Sequence, residues 1–346
     1  NRPPIRAEGS PMGRLIARRL VFMVFVLWGV TLITFFLSRV APGDPARLIA
    51  GPRANAAALE HIRQIYGLDK PLVQQYFTYM GDLVHGDLGT SFVTRQPVRS
   101  DLATFFPATV ELALFAMLIG STVGVLFGVV AALHRGAPGD VGVRFVAIAG
   151  LSLPAFWLAM LFQLTFYSRL GWLPFGGRLA TGVPAPPGVT GLYTVDSLLA
   201  GQWHTFADAT THLVLPVAVL ALAEVGLMAR MVRTSMLEVL GEDYIRTAQA
   251  KGLSRRRVLV RHTLRNALLP AVTILGLEVG LLAGGVFLVE TIFAWPGVGR
   301  YAYDAIRASD YNATMGVTLV IALVYVLVNL VVDVVYLFLD PRIRYT

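Results

Sequence analysis

The sequence predicts an all-α polytopic membrane protein: six transmembrane helices, with a small external helical segment between the first and the second. Three observations carry that expectation. Of 346 residues, 55% are hydrophobic and 14% charged, with a mean hydropathy of +0.64, whereas soluble domains carry about 25% charged residues. The apolar residues gather into runs of about twenty, long enough to cross hydrocarbon as helices. The arginines gather beside those runs. A net charge of +8 would point to nucleic acid in a soluble chain; beside apolar spans it points to membrane lipid and to topology, and to no nucleic acid. The chain has no cysteine, which excludes disulfides, iron–sulfur clusters and thiolate zinc sites.

Residues 1–19 read as a cytoplasmic tail, polar and proline-rich as far as position 13. Leu20–Ser38 is the first span. It is too long for the apolar core of a cleaved signal peptide, about 7–15 residues. Residues 39–106 form the external segment, with two amphipathic helices. Leu59, Ile62 and Ile65 share a face ended by Gly67; Leu72, Tyr76, Tyr79 and Leu83 share another after Pro71. Asp87, between glycines, reads as a turn aspartate bonding its own backbone.

Residues 107–339 form the transmembrane core. Pro107–Leu133 is the second span, and Gly120, Gly124 and Gly128 give it a face for close helix approach. After the 134–140 turn the third span runs from Arg144 to about Tyr167. Pro154 kinks it, either lining a pathway or simply tolerated, and Gln163 is a second polar position. Residues 168–210 return to the outside, with prolines at 174, 184, 186 and 187 and with Trp172, Tyr193 and Trp203 suited to an interface. His212–Met231 is the fourth span. Its Glu224 costs about 2.5–3.5 kcal/mol at membrane depth and so should face the bundle, touching substrate or pairing structurally. Ala267–Glu290, with Glu278, is the fifth span. Asn312–Leu339, with Asn329 and Asp333 at i, i+4, is the sixth. Residues 340–346 close the chain as a basic tail, and the bias of arginine between loops places both termini inside.

The loop 232–266 concentrates charge between two spans. Gly241 breaks the preceding helix, Glu242 and Asp243 open a new one of about three turns, Lys251 lies in its last turn and Gly252 follows as a left-handed cap. Tyr244, Ile245 and Ala248 lie on one side, a small apolar face able to seat in a groove. Ser254 should then cap a second, strongly basic helix through Arg255, Arg256, Arg257, Arg261 and Arg265.

These residues carry a resemblance. The run Tyr244–Leu253 (YIRTAQAKGL), then Arg261-His262 and Asn266–Pro270, resembles the "EAA" loop of bacterial ABC importer permeases, most of all the dipeptide/oligopeptide branch. The eponymous Glu-Ala-Ala is Arg246-Thr247-Ala248 here, and Gly252 lies further from Leu269-Pro270 than in the general pattern; both departures are associated with that branch. The phrases Pro42–Pro45, Gly67–Pro71, Gln75-Tyr76 and Gly86–Ser91 are similar, in order and spacing, to the first external segment of those permeases. Glu290–Tyr301 (ETIFAWPGVGRY) resembles their external re-entrant or short-helix loop. Asp310-Tyr311 sits where the family reads Arg-Asp-Tyr-Pro, with Ser309 and Asn312 at its ends.

The resemblance implies the type I ABC importer permease fold and a transport subunit that is not an enzyme. Its implied partners are a second homologous permease forming a heterodimer, two ABC ATPase subunits that carry ATP and Mg, and an extracytoplasmic substrate-binding protein. Glu242, Asp243, Tyr244, Arg246, Ala248, Lys251 and Gly252 are then the ATPase-coupling residues, and Pro154, Gln163, Glu224, Glu278 and Asp333 candidates for the substrate pathway. Cargo stays open among dipeptides, longer peptides, glutathione, nickel chelates and haem. The chain itself carries no Gly-rich phosphate loop, so no cofactor is expected on it and energy must come from elsewhere. It has no His-Glu-x-x-His, and its six histidines are scattered, so no metal site is expected. The alternative is a secondary transporter or channel using Glu224, Glu278 and Asp333 as ion sites, for which no internal duplication speaks.

Overall fold

The computed structural model describes residues 11–40, 46–47, 54–65 and 67–339, in which the regular elements are helices and one isolated bridge joins Thr90 to Pro97. Residues 1–10, the Pro42–Pro45 phrase, the 340–346 tail and the side chain of Asp333 lie outside the described residues. In chain order the helices are α1 Pro11–Val40, α2 Ala56–Ile65, α3 Leu72–Val84, α4 Val98–Leu133, α5 Pro138–Ser152, α6 Ala155–Phe162, α7 Tyr193–Leu199, α8 Trp203–Leu240, α9 Asp243–Ala250, α10 Leu269–Ile292, α11 Val298–Arg307 and α12 Tyr311–Leu339. A π-helical turn, Gln163–Arg169, continues α6.

Four helices, α1, α4, α8 and α12, are long and apolar enough to cross a membrane, and the bent pair of α5 with α6 and its π turn raises the number to five. The remaining expected span, the fifth at Ala267–Glu290, corresponds to α10, 24 residues or about 36 Å long. Helices start earlier than the hydropathy runs. The first span begins in a helix already formed at Pro11, and α4 begins at Val98 with Pro107 inside it. Proline forfeits one backbone bond, but the turns ahead of it are anchored by Asp101 near the positive helix end and by buried Val98 and Leu102.

The chain divides into two compact units. In the unit of residues 1–103 and 304–333, the aromatic face of α3 packs on α1: the Phe35 ring stands edge-on to Tyr76 at 5.3 Å and stacks with Tyr79 at 5.8 Å. Asp310 is fully buried and does two things. Its Oδ1 accepts the Ala313 amide at 3.1 Å, capping α12, and its Oδ2 accepts the Ser91 hydroxyl at 2.6 Å and the Phe92 amide at 2.7 Å. Ser309 takes φ +54 and Asn312 donates to the Thr90 carbonyl at 3.0 Å, so the altered ends of that motif still serve the turn. Asp87 bonds the Gly89 amide at 2.8 Å, the local turn expected of it.

The unit of residues 104–303 and 334–346 is built around α8. In its most apolar stretch 72% of residues are buried, against 11–22% in the other three long helices. The glycine stripe of α4 meets it in register. A Cβ on Gly120 would strike Glu224 Cγ, one on Gly124 the Met228 Cβ, and one on Gly128 the Val232 Cβ. The stripe is thus a packing face, as its spacing predicted.

Candidate coupling site and buried carboxylates

Residues 232–266 do not form a loop hung below a span. α8 runs on through the arginines to Leu240, and Gly241 stays right-handed at φ −80. Glu242 stands at the N-cap of α9 with extended backbone, and Asp243 lies in the first turn, where a carboxylate suits the positive helix end. The helix has eight residues, about two turns where three were expected. Its end is a Schellman closure: Gly252 at φ +76, the Gly252 amide on Gln249 O at 2.9 Å, and the Leu253 amide on Ala248 O at 3.3 Å.

The apolar side of α9 faces its own chain, which corrects one expectation. Ile245 and Ala248 are buried against Val258, with Leu253 and Val239 beside them. Ala248, expected in the docking face, therefore fixes the helix to the rest of the molecule. Tyr244 stays largely exposed, and its hydroxyl accepts from Asn266 Nδ2 at 3.0 Å. Glu242, Asp243, Arg246, Lys251 and Gly252 remain on the surface. Arg246 pairs with Asp243 at 3.4 Å, but both side chains are so exposed that the pair adds little stability.

The basic segment after Ser254 is not one regular helix. A turn at Arg255–Arg257 passes into a π-helical stretch, Val258–Leu264, and then Arg265–Ala267. The wider turn brings Val258 and Thr263 inward and leaves the arginines out. Ser254 takes the N-cap position without a side-chain capping bond.

The expected pathway residues divide. Pro154 starts α6 at a bend of 106° from α5, a break instead of a kink. Proline disfavours helical geometry at the residue before it, and Leu153 is extended at ψ 127. Gln163 spends both amide hydrogens on backbone carbonyls, Phe175 O at 3.1 Å and Ile292 O at 3.0 Å. It ties the end of α10 to the 168–202 connection. Glu224 is buried on α8, its Oε1 without a hydrogen-bond partner, within electrostatic reach of half-buried Glu278 on α10.

Three polar clusters in this unit escaped sequence reasoning. Glu111 of α4 accepts from Arg178 at 2.6 Å and from the Thr194 amide and hydroxyl at 2.8 and 2.7 Å, and the Arg178 guanidinium lies 3.5 Å from the Tyr193 ring centre. Glu290 accepts from the Thr109 hydroxyl and the Arg300 amide, while buried Trp295 donates to Ala108 O at 2.9 Å. Asp140 is held by Arg233 through two bonds, 2.7 and 3.1 Å. The available signal was a lone acid near the end of an otherwise basic or apolar run. Its partner lies 67 to 181 residues away, a distance no periodicity reaches.

An enclosed apolar rod packed by other apolar helices, with a short charged helix fixed at its end, is the build of a membrane-spanning protein with an exposed polar helix beside its longest span. Residues 124–345 match the family of binding-protein-dependent transport system inner membrane components, and residues 12–113 match the N-terminal part of such membrane components. The chain is 48% identical over 329 residues to a probable D,D-dipeptide transport system permease of Escherichia coli K12, covering 95% of this chain and 97% of that one. It is 47% identical to a di/tripeptide transport system permease of Pseudomonas aeruginosa (95% and 98%) and 39% identical to a glutathione transport system permease of Escherichia coli O6:H1 (95% and 98%). The chain belongs to the binding-protein-dependent transport system inner membrane component family, the permease subunits of ABC importers. It is a multi-pass inner membrane protein and a transport subunit, and the self-sufficient secondary transporter is not favoured. Among the described residues no cluster of His, Asp or Glu could hold a metal ion.

Proposed function

We propose that this chain forms one half of the membrane passage of an ABC importer for short peptides, working with a second homologous permease, two ATPases that carry ATP and Mg, and a substrate-binding protein on the outer side. Both termini and α9 lie in the cytoplasm. Glu242, Asp243, Tyr244, Arg246, Lys251 and Gly252 meet the ATPase, with Ala248 holding α9 in place behind them. Glu224 and Glu278, with Asp333, line the route of the peptide, and Pro154 sets the bend beside it.

The single observation that carries this reading is the build of α9. Its apolar side is buried against Val258 and its charged side is exposed, so a push on the exposed side moves α8 and α10 instead of tilting a loose loop. Peptide cargo is supported by the named substrates of the relatives at 47–48% identity; the glutathione permease, a more distant relative, has a peptide-like cargo. The test is uptake of a labelled dipeptide into liposomes holding the complete complex. Uptake should require ATP inside with the binding protein outside, and should stop when the ATPases are left out. Uptake by the permeases alone under an ion gradient would overturn the reading.

A further inference from the structure

Glycines at two positions bring α5 and α8 into close contact. A Cβ on Gly150 would strike the Leu222 carbonyl, and one on Gly226 the Ala147 carbonyl at 2.7 Å. Such notches let the two backbones approach closely, with the Leu222 side chain seated beside Gly150. One polar contact adds direction to this apolar crossing. Asp140, 1% exposed near the start of α5, accepts from Arg233 Nε at 2.7 Å and Nη2 at 3.1 Å, from the Gly136 amide at 3.0 Å, and lies 3.5 Å from Arg144. Among the described residues it is the one ion pair joining α5 to α8. A forked guanidinium–carboxylate pair fixes direction as well as distance. Arg233 lies on the same unbroken helix as Val239, which packs against the Ile245–Ala248–Val258 cluster of α9.

We propose that Asp140 and Arg233 are positioning residues for transport: their pair locks the register of α5 against α8, so that displacement of α9 reaches the bent α5–α6 pair instead of being lost as slip. The inference rests on the coupling role given to α9 above. The sequence holds no cysteine, which makes a label experiment clean.

In the reconstituted complex, D140N should leave basal ATP hydrolysis in place and lower peptide carried per ATP about tenfold. R233K, which keeps the charge and loses the fork, should fall between D140N and wild type. Spin labels at Gly142→Cys and Thr234→Cys should hold one separation with and without ATP in the parent complex. In D140N the separation should change with nucleotide. A purely structural role would instead lower yield and melting temperature while the surviving complex keeps its transport-to-ATP ratio and its fixed label distance; that result overturns the proposal. Loss of ATP-driven uptake in the parent complex would count against the function, not against the clamp.

Discussion

At Gly252 the backbone turns left-handed, and nothing lies within 4 Å of where a Cβ would stand. Replacement there meets backbone strain of about 1–2 kcal/mol and no clash. Gly252→Trp should therefore distort the end of α9 and place a bulky group on its exposed side, with ATP hydrolysis retained and uptake lost. Gly252→Asn, which tolerates φ > 0, should keep both. Equal uptake by the two variants in reconstituted complexes would refute the role. At Trp295, 1% exposed, the expected losses differ by substitution. W295A removes a whole buried ring, costing about 3–5 kcal/mol. W295F removes the indole N–H donated to Ala108 O, costing about 1 kcal/mol. Thermal unfolding of the purified complex should rank them in that order.

Helix contacts set the next scale. Gly124 and Gly142 are both helical glycines, yet only the first touches another helix. G124A pushes against Met228 Cβ and the Val225 carbonyl and should destabilise by about 1–3 kcal/mol. G142A meets open space and should be neutral or stabilise by up to about 1 kcal/mol. A melting series on both variants checks this. The short helix α7 depends on Asp196, whose carboxylate takes the Thr190 amide and hydroxyl and the Gly191 amide at 2.7–2.9 Å. Burial pushes its pKa up, but those bonds outweigh burial and hold it below the ordinary aspartate value. The folded form thus binds its proton more weakly than the unfolded one. Its contribution is complete above the ordinary value of about 3.9 and is lost as pH falls through the lower folded value. Amide protection factors over residues 190–199, corrected for the intrinsic pH dependence of exchange, should be flat from neutral pH down to about 4 and fall below it, and D196N should abolish that step.

Across the whole molecule, what could be read from the sequence was what repeats locally. The apolar runs, the glycine stripe of α4, the turn at Asp87 and the left-handed Gly252 each follow from three or four neighbouring residues. Contacts between distant segments could not be read. Ile245 and Ala248 gave an apolar face but not its partner, which turned out to be Val258, brought under α9 by a π-helical stretch that no propensity predicts. The polar pathway set was similarly incomplete: composition showed that Gln163 was polar but not that its amide was already spent on two carbonyls. Helix ends were misplaced wherever polar residues continued a helix past its apolar run, as Arg230 and Arg233 do in α8.

An ATPase that grips this subunit at α9 would cover the exposed side of that helix from the cytoplasm. Because the chain has no cysteine, a single Arg246→Cys substitution reports on it directly, using a thiol reagent that cannot cross the membrane. In inside-out vesicles stripped of the ATPases the introduced thiol should label fully, and adding the ATPases back should protect it. Labelling from the outer face, or labelling that the ATPases leave unchanged, would contradict the account.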